Sequence, residues 1–129
     1  MLHGTSASLH TWDGWTDVLT KHHRVIRFDM QGFGLTCPHP YAKYRIEDYA
    51  NTLIKLMDAI DINSAIVAGN SLGGSVAWSA AVLYPERVAK LVLVDSSGYP
   101  FKSESVPIGF RISSSPLLKS YSKISCLER

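Results

Sequence analysis

The sequence predicts an α/β fold, a parallel sheet with helices on its faces. Two observations predict it. Segments with apolar residues at helical spacing alternate with short, wholly apolar runs as far as residue 96. One of those runs leads through a glycine-flanked turn straight into a helix, which is how strand–turn–helix units of parallel sheets read.

Each element follows from its residues. Thr11 to Thr20 carries Trp12, Trp15, Val18 and Leu19 at helical spacing, so it is expected to be a short helix with both tryptophans in the core. Arg24–Asp29 reads as a strand, and Gln31-Gly32-Phe33-Gly34 as a turn by its two glycines. Ile46 to Ile60 is the strongest helix, with Ile46, Tyr49, Ala50, Leu53, Ile54, Met57 and Ile60 along one stripe. Its other face holds Glu47, Asn51, Lys55 and Asp58. Ala65–Ala68 and Leu91–Val94 are apolar throughout, the pattern of strands covered on both faces. Between them, Leu72 to Leu83 is expected to be a helix ended by Tyr84-Pro85. Residues 113–129 are serine-rich and show no sustained period.

Composition narrows the function. The 129 residues carry 13 Lys+Arg and 11 Asp+Glu, a formal net charge of +2. That charge is too small to argue for nucleic acid or an anionic membrane. No apolar run approaches the ~20 residues of a membrane-spanning helix, and the first residues do not resemble a signal peptide. The default expectation is therefore a cytoplasmic protein. Cys37 and Cys126 are far apart, so neither a disulfide framework nor a zinc site of usual spacing is expected. No cofactor is expected. The sequence sets no oligomeric state.

Gly69-Asn70-Ser71-Leu72-Gly73 matches G-x-S-x-G between a strand and a helix, the context of a nucleophile elbow. The reason for the pattern is steric. Ser71 has to sit on a tight turn, and side chains at 69 and 73 would collide with neighbouring backbone. The Leu72 N–H then lies at the helix start, where the dipole favours a developing oxyanion. A competing reading is a dinucleotide fingerprint, since Gly69, Gly73 and Gly74 follow a strand and Asp95 ends the next one. That fingerprint needs glycine at position 71, where backbone must approach a pyrophosphate, and serine stands there.

Taken together, L-H-G-T-S-A-S with H-T-W, R-F-D-M-Q-G-F-G, V-A-G-N-S-L-G-G-S and Y-P-E-R-V-A-K-L-V-L-V-D-S-S-G resemble, in order and spacing, the N-terminal part of an α/β-hydrolase domain over residues 2–98. The resemblance implies Ser71 as nucleophile. It implies Leu72 and Thr5 as backbone oxyanion donors, and His3 and Gly4 as structural residues of the H-G turn, beside the elbow glycines Gly69 and Gly73. Asp95 is a possible triad acid, its alternative being a turn-capping carboxylate; Asp29 is read as a turn organiser. Phe33 is read equally as pocket lining or core, and His22-His23 as a solvated helix end. His10 and His39 show no partner in sequence.

The implied substrate is a small carbonyl compound, an ester or similar. The G-N-S-L-G-G elbow also resembles that of serine C–C bond hydrolases. Residues 99–129 are expected to be the start of a cap region or an irregular tail. The triad order of this fold is Ser, acid, His, yet all five histidines (3, 10, 22, 23 and 39) precede Ser71. The strand that feeds H-G is reduced to Met1-Leu2, so the expectation is a partial fold without central and C-terminal strands. It is read as a fragment with little activity alone, the alternative being a non-catalytic remnant or interaction protein.

Overall fold

Helix formation is strongest where the sequence stripe is strongest. In the computed structural model, which describes residues 1–98, α2 spans Ile46–Ala59 and buries Tyr49, Ala50, Leu53, Ile54 and Met57. Its first turn carries Glu47 and Asp48, and the Asp48 carboxylate accepts the Arg45 N–H at 3.2 Å. Acidic groups there complement the helix dipole and satisfy an orphan donor. The shorter α1 spans Asp13–Leu19 and follows a 3-10 turn at Leu9–Trp12. The predicted Thr11–Thr20 helix is thus two elements.

Their tryptophans part company. Trp12 is buried, whereas Trp15 is 45% exposed and meets Trp12 edge-on with ring centroids 5.2 Å apart. The expectation that both are core is corrected for Trp15. His22 and His23 are exposed just past the end of α1, and each N–H donates to the Leu19 carbonyl, as a solvated helix end requires.

The sheet is parallel. β1 (Ala65–Asn70) pairs with β2 (Val88–Val94), with Asn70 opposite Val94. α3 (Leu72–Leu83) makes the crossover between them, and a 3-10 turn at Pro85–Arg87 leads into β2. Leu2 bridges Gly69 in parallel, with its N–H on the Ala68 carbonyl at 2.8 Å and its carbonyl accepting the Asn70 N–H at 3.0 Å. A continuous core joins Leu2, Met30 and α2 to Val67 of β1 and to Val76, Ala77 and Ala80 of α3. The small residues of α3 let it approach the sheet closely.

Two sequence expectations about strands are corrected. Arg24–Asp29 forms no ladder. A strand is defined by its partner, and beside this segment the structure shows the Met1 amine on the Ile26 carbonyl at 2.7 Å and the Met30 N–H on the His3 ring at 3.0 Å. β2 begins earlier than predicted and is not covered on both faces. Leu91 and Leu93 are more than a third exposed, and Ile66 of β1 is 52% exposed. Among the described residues β2 is paired with β1 and packs chiefly against α3, while Leu91 and Leu93 stay partly open. The expectations for residues 99–129 and for Cys126 lie outside the described residues.

Candidate active site

Ser71 stands between β1 and α3 with φ 49° and ψ −114°, a backbone conformation that L residues avoid. The surroundings hold it there. Its N–H donates to the Val94 carbonyl at 3.1 Å, while the Asn70 N–H is held by Leu2 and the Asn70 amide donates to the same Val94 carbonyl at 3.2 Å. A Cβ at Gly69 would run into the Gly73 carbonyl and lie 2.6 Å from the Gly74 nitrogen. One at Gly73 would strike the Leu2 carbonyl and lie 2.6 Å from that of His3. Close backbone approach, as the motif implies, is what excludes side chains at both positions.

The H-G segment lies against this turn. The Gly73 N–H donates to the His3 carbonyl at 3.1 Å, and a Cβ at Gly4 would come within 2.8 Å of Asn70 Oδ1 and 3.2 Å of the Ser71 Cβ. Thr5 follows, exposed. Among the described residues no backbone carbonyl accepts from the Thr5 or Leu72 N–H.

His3 is fully buried and both its ring nitrogens are engaged. Nε2 accepts the Met30 N–H at 3.0 Å, so Nδ1 carries the proton and donates to the Gly4 carbonyl at 2.8 Å. Its edge meets the half-buried Phe33 ring at 5.3 Å. Phe33 packs against the core.

Asp29 organises the turn that follows it. Its carboxylate accepts the Leu9 N–H at 2.8 Å and the Leu35 N–H at 3.0 Å, and its carbonyl accepts the Thr36 hydroxyl at 2.7 Å. The Leu35 N–H chiefly holds the Asp29 carboxyl below the usual carboxylate range. Burial opposes that shift, and the Leu9 N–H adds to it.

Asp95 directly follows the register partner of Asn70, so the sheet brings it level with Ser71. It is exposed with φ 45°, and among the described residues its carboxylate has neither an imidazole nor a turn N–H as partner. His10 and His39 have local partners. His10 Nδ1 lies 3.2 Å from Asp13, and His39 Nδ1 accepts the Tyr41 N–H at 3.1 Å.

Sequence reasoning missed Ser75 and Ser97. The Ser97 N–H and hydroxyl each lie 3.1 Å from the Ser71 carbonyl, and the Ser75 hydroxyl lies 2.7 Å from Ser97 Oγ. The only signal was the D-S-S-G run closing β2.

A strained serine between strand and helix, flanked by glycines and faced by an H-G turn, is the arrangement the motif resemblance implied. The alpha/beta hydrolase fold family matches residues 1–114. The chain belongs to the α/β-hydrolase fold family. It is 38% identical over 104 residues to the 2-hydroxymuconate semialdehyde hydrolase of Pseudomonas sp. strain CF600, covering 78% of this chain and 37% of that protein. Among solved structures it is similar to a meta-cleavage product hydrolase from Pseudomonas fluorescens IP01, with TM-score 0.74 and 35% identity over 78% of this chain and 38% of the other. An esterase from Thermogutta terrifontis matches with TM-score 0.73 and 30% identity over 80% of this chain and 38% of the other. This α/β-hydrolase chain thus spans less than two-fifths of these relatives. No helix among its described residues is long and apolar enough to cross a membrane.

Proposed function

We propose that this chain carries the nucleophile and oxyanion donors of a serine hydrolase acting on a small carbonyl substrate. The observation that carries the reading is the backbone of Ser71, held at φ 49° on the junction of β1 and α3. Strain kept at a serine on a strand–helix junction in a family of hydrolases is best explained by the exposure it gives the hydroxyl.

In this reading Ser71 Oγ attacks the substrate carbonyl carbon and its proton passes to a base. The Leu72 and Thr5 N–H groups hold the oxyanion, preorganised by the helix start and the H-G turn. Collapse of the tetrahedral adduct breaks the C–O bond of an ester or the C–C bond beside the carbonyl, and the leaving oxygen or carbon takes up the proton that the base had removed from Ser71. Water then releases the acyl group from Ser71. His3 does not serve as the base, because its lone pair is taken by the Met30 N–H. Relatives named for 2-hydroxymuconate semialdehyde and for 2-hydroxy-6-oxo-2,4-heptadienoate favour C–C bond hydrolysis over ester hydrolysis.

Chemical rescue tests the nucleophile. With a fluorophosphonate probe alone the chain is expected to stay unlabelled, since an unassisted serine hydroxyl is a weak nucleophile. Added imidazole is expected to bring labelling at Ser71 that rises with its concentration and vanishes in Ser71→Ala. A folded chain unlabelled at every imidazole concentration overturns the reading. Substrate class is tested by placing residues 1–98 in the 2-hydroxymuconate semialdehyde hydrolase framework. Faster turnover of a 2-hydroxy-6-oxo-2,4-dienoate than of an aryl acetate is expected, and the reverse order assigns esters.

A further inference from the structure

One peptide unit carries both the Ser71 carbonyl and the Leu72 N–H. A trans peptide sets the two in opposite directions, so whatever holds the carbonyl also aims the N–H. The Ser71 carbonyl is held by the Ser75 N–H at 3.2 Å and the Ser97 N–H at 3.1 Å, and the Ser97 hydroxyl lies 3.1 Å away. The bond from Ser75 is the ordinary first bond of a helix. Those from Ser97 come from the loop after β2 and have no counterpart in a simple strand–helix turn.

The hydroxyl protons have two consistent arrangements. In one, Ser75 donates to Ser97 Oγ at 2.7 Å and Ser97 donates to the Ser71 carbonyl. In the other, Ser75 donates to the Ser97 carbonyl at 2.7 Å and Ser97 donates back to Ser75. The Ser97 carbonyl already has the Ser96 hydroxyl at 2.9 Å and the Trp78 indole N–H at 3.4 Å as donors. It does not need Ser75. The first arrangement therefore spreads the donors best, and it gives the Ser71 carbonyl a third one.

We propose that Ser97, backed by Ser75, is a positioning residue for the oxyanion donor: its hydroxyl fixes and polarises the Ser71–Leu72 peptide so that the Leu72 N–H is both aimed and made a stronger donor. A hydrogen bond to an amide oxygen draws charge from its nitrogen and strengthens the N–H on the same unit. This rests on the proposed role of Leu72, and it names residues that role did not include.

The test is backbone NMR of the chain together with imidazole-assisted fluorophosphonate labelling. In Ser97→Ala the Ser71 carbonyl carbon and the Leu72 nitrogen are expected to shift upfield, while Ala80 and Val67 signals stay in place. Ser97→Thr, which keeps the hydroxyl, is expected to restore both. Fluorophosphonate labelling of Ser71 should slow about fivefold in Ser97→Ala, the scale of one hydrogen bond, and recover in Ser97→Thr. Unchanged Ser71 and Leu72 shifts in a folded Ser97→Ala chain overturn the proposal. Ser75→Ala gives an independent answer. If Ser97 already donates to Ser71, the carbonyl carbon does not move downfield; a downfield move shows that the Ser97 proton had been on Ser75 and overturns it too. If Ser97→Ala gives the shifts but the wild-type chain never labels, the nucleophile reading alone is refuted.

Discussion

The His3 carbonyl accepts the Gly73 N–H at 3.1 Å, tying the H-G turn to the first turn of α3. Residues seventy positions apart in the chain, to a rough count, thereby share one backbone contact, of the short-range kind only bare backbone permits. Gly73→Ala puts a methyl 2.6 Å from the His3 carbonyl oxygen and nearer still to that of Leu2. The Leu2 carbonyl cannot move without breaking its bond to the Asn70 N–H, which is part of the Leu2–Gly69 bridge. Gly73→Ala is expected to lower stability by ~3 kcal/mol, the upper range for overpacking. Chemical denaturation checks it, and a loss below ~1 kcal/mol would show that the turn yields.

The strain at Ser71 has a measurable price in stability. At φ 49° and ψ −114° a residue with a Cβ costs ~1–3 kcal/mol, whereas glycine adopts the region freely but loses more chain entropy on folding. Ser71→Gly is therefore expected to be ~1 kcal/mol more stable than Ser71→Ala. Both lack the hydroxyl, so the comparison isolates backbone strain. Equal stability of the two variants would mean that the elbow is relaxed.

Features set by local pattern were legible in the sequence, and features set by neighbours were not. The stripe from Ile46 to Ile60 gave α2 to within one residue, and G-x-S-x-G located Ser71 at a strand–helix junction. Arg24–Asp29 has strand composition but no ladder, because pairing depends on a second segment that no local pattern contains. Trp15 lies at core spacing yet is half exposed, since a seven-residue helix presents only part of its stripe to the core. Ser97 was illegible for the same reason as the strand. Its meaning comes from the Ser71 carbonyl, which the parallel register of β1 and β2 brings beside it.

Asp29 makes stability depend on acid pH. Its carboxyl is held below the ordinary value when folded, by Leu35 first and Leu9 after it. The contribution is therefore complete above the unfolded carboxyl value of ~3.9 and is lost as pH falls through the lower, folded one. Asp29→Asn is expected to cost ~2 kcal/mol at neutral pH, the scale of hydrogen bonds to a charged acceptor. The difference from wild type should shrink below pH ~4. Denaturation midpoints across that range check it, and a difference that stays constant with pH would show that the charge is not what holds the turn.

Tyr49 gives the opposite sign at the alkaline end. Its hydroxyl donates to the Gln31 carbonyl at 2.9 Å, fastening α2 to the turn after Asp29. Burial, with a smaller push from Tyr44, raises the phenol to about 12 from its ordinary 10.0. A group whose folded value is raised contributes fully below the unfolded value and loses that contribution as pH climbs through the folded one. The window is thus pH 10 to about 12. Tyr49→Phe removes both the bond and the titration, and is expected to cost ~1 kcal/mol at neutral pH. Above pH 10.0 the wild type is expected to lose its advantage, so the two stability curves converge. Curves that remain parallel through that window would show that Tyr49 does not keep its proton preferentially in the folded state.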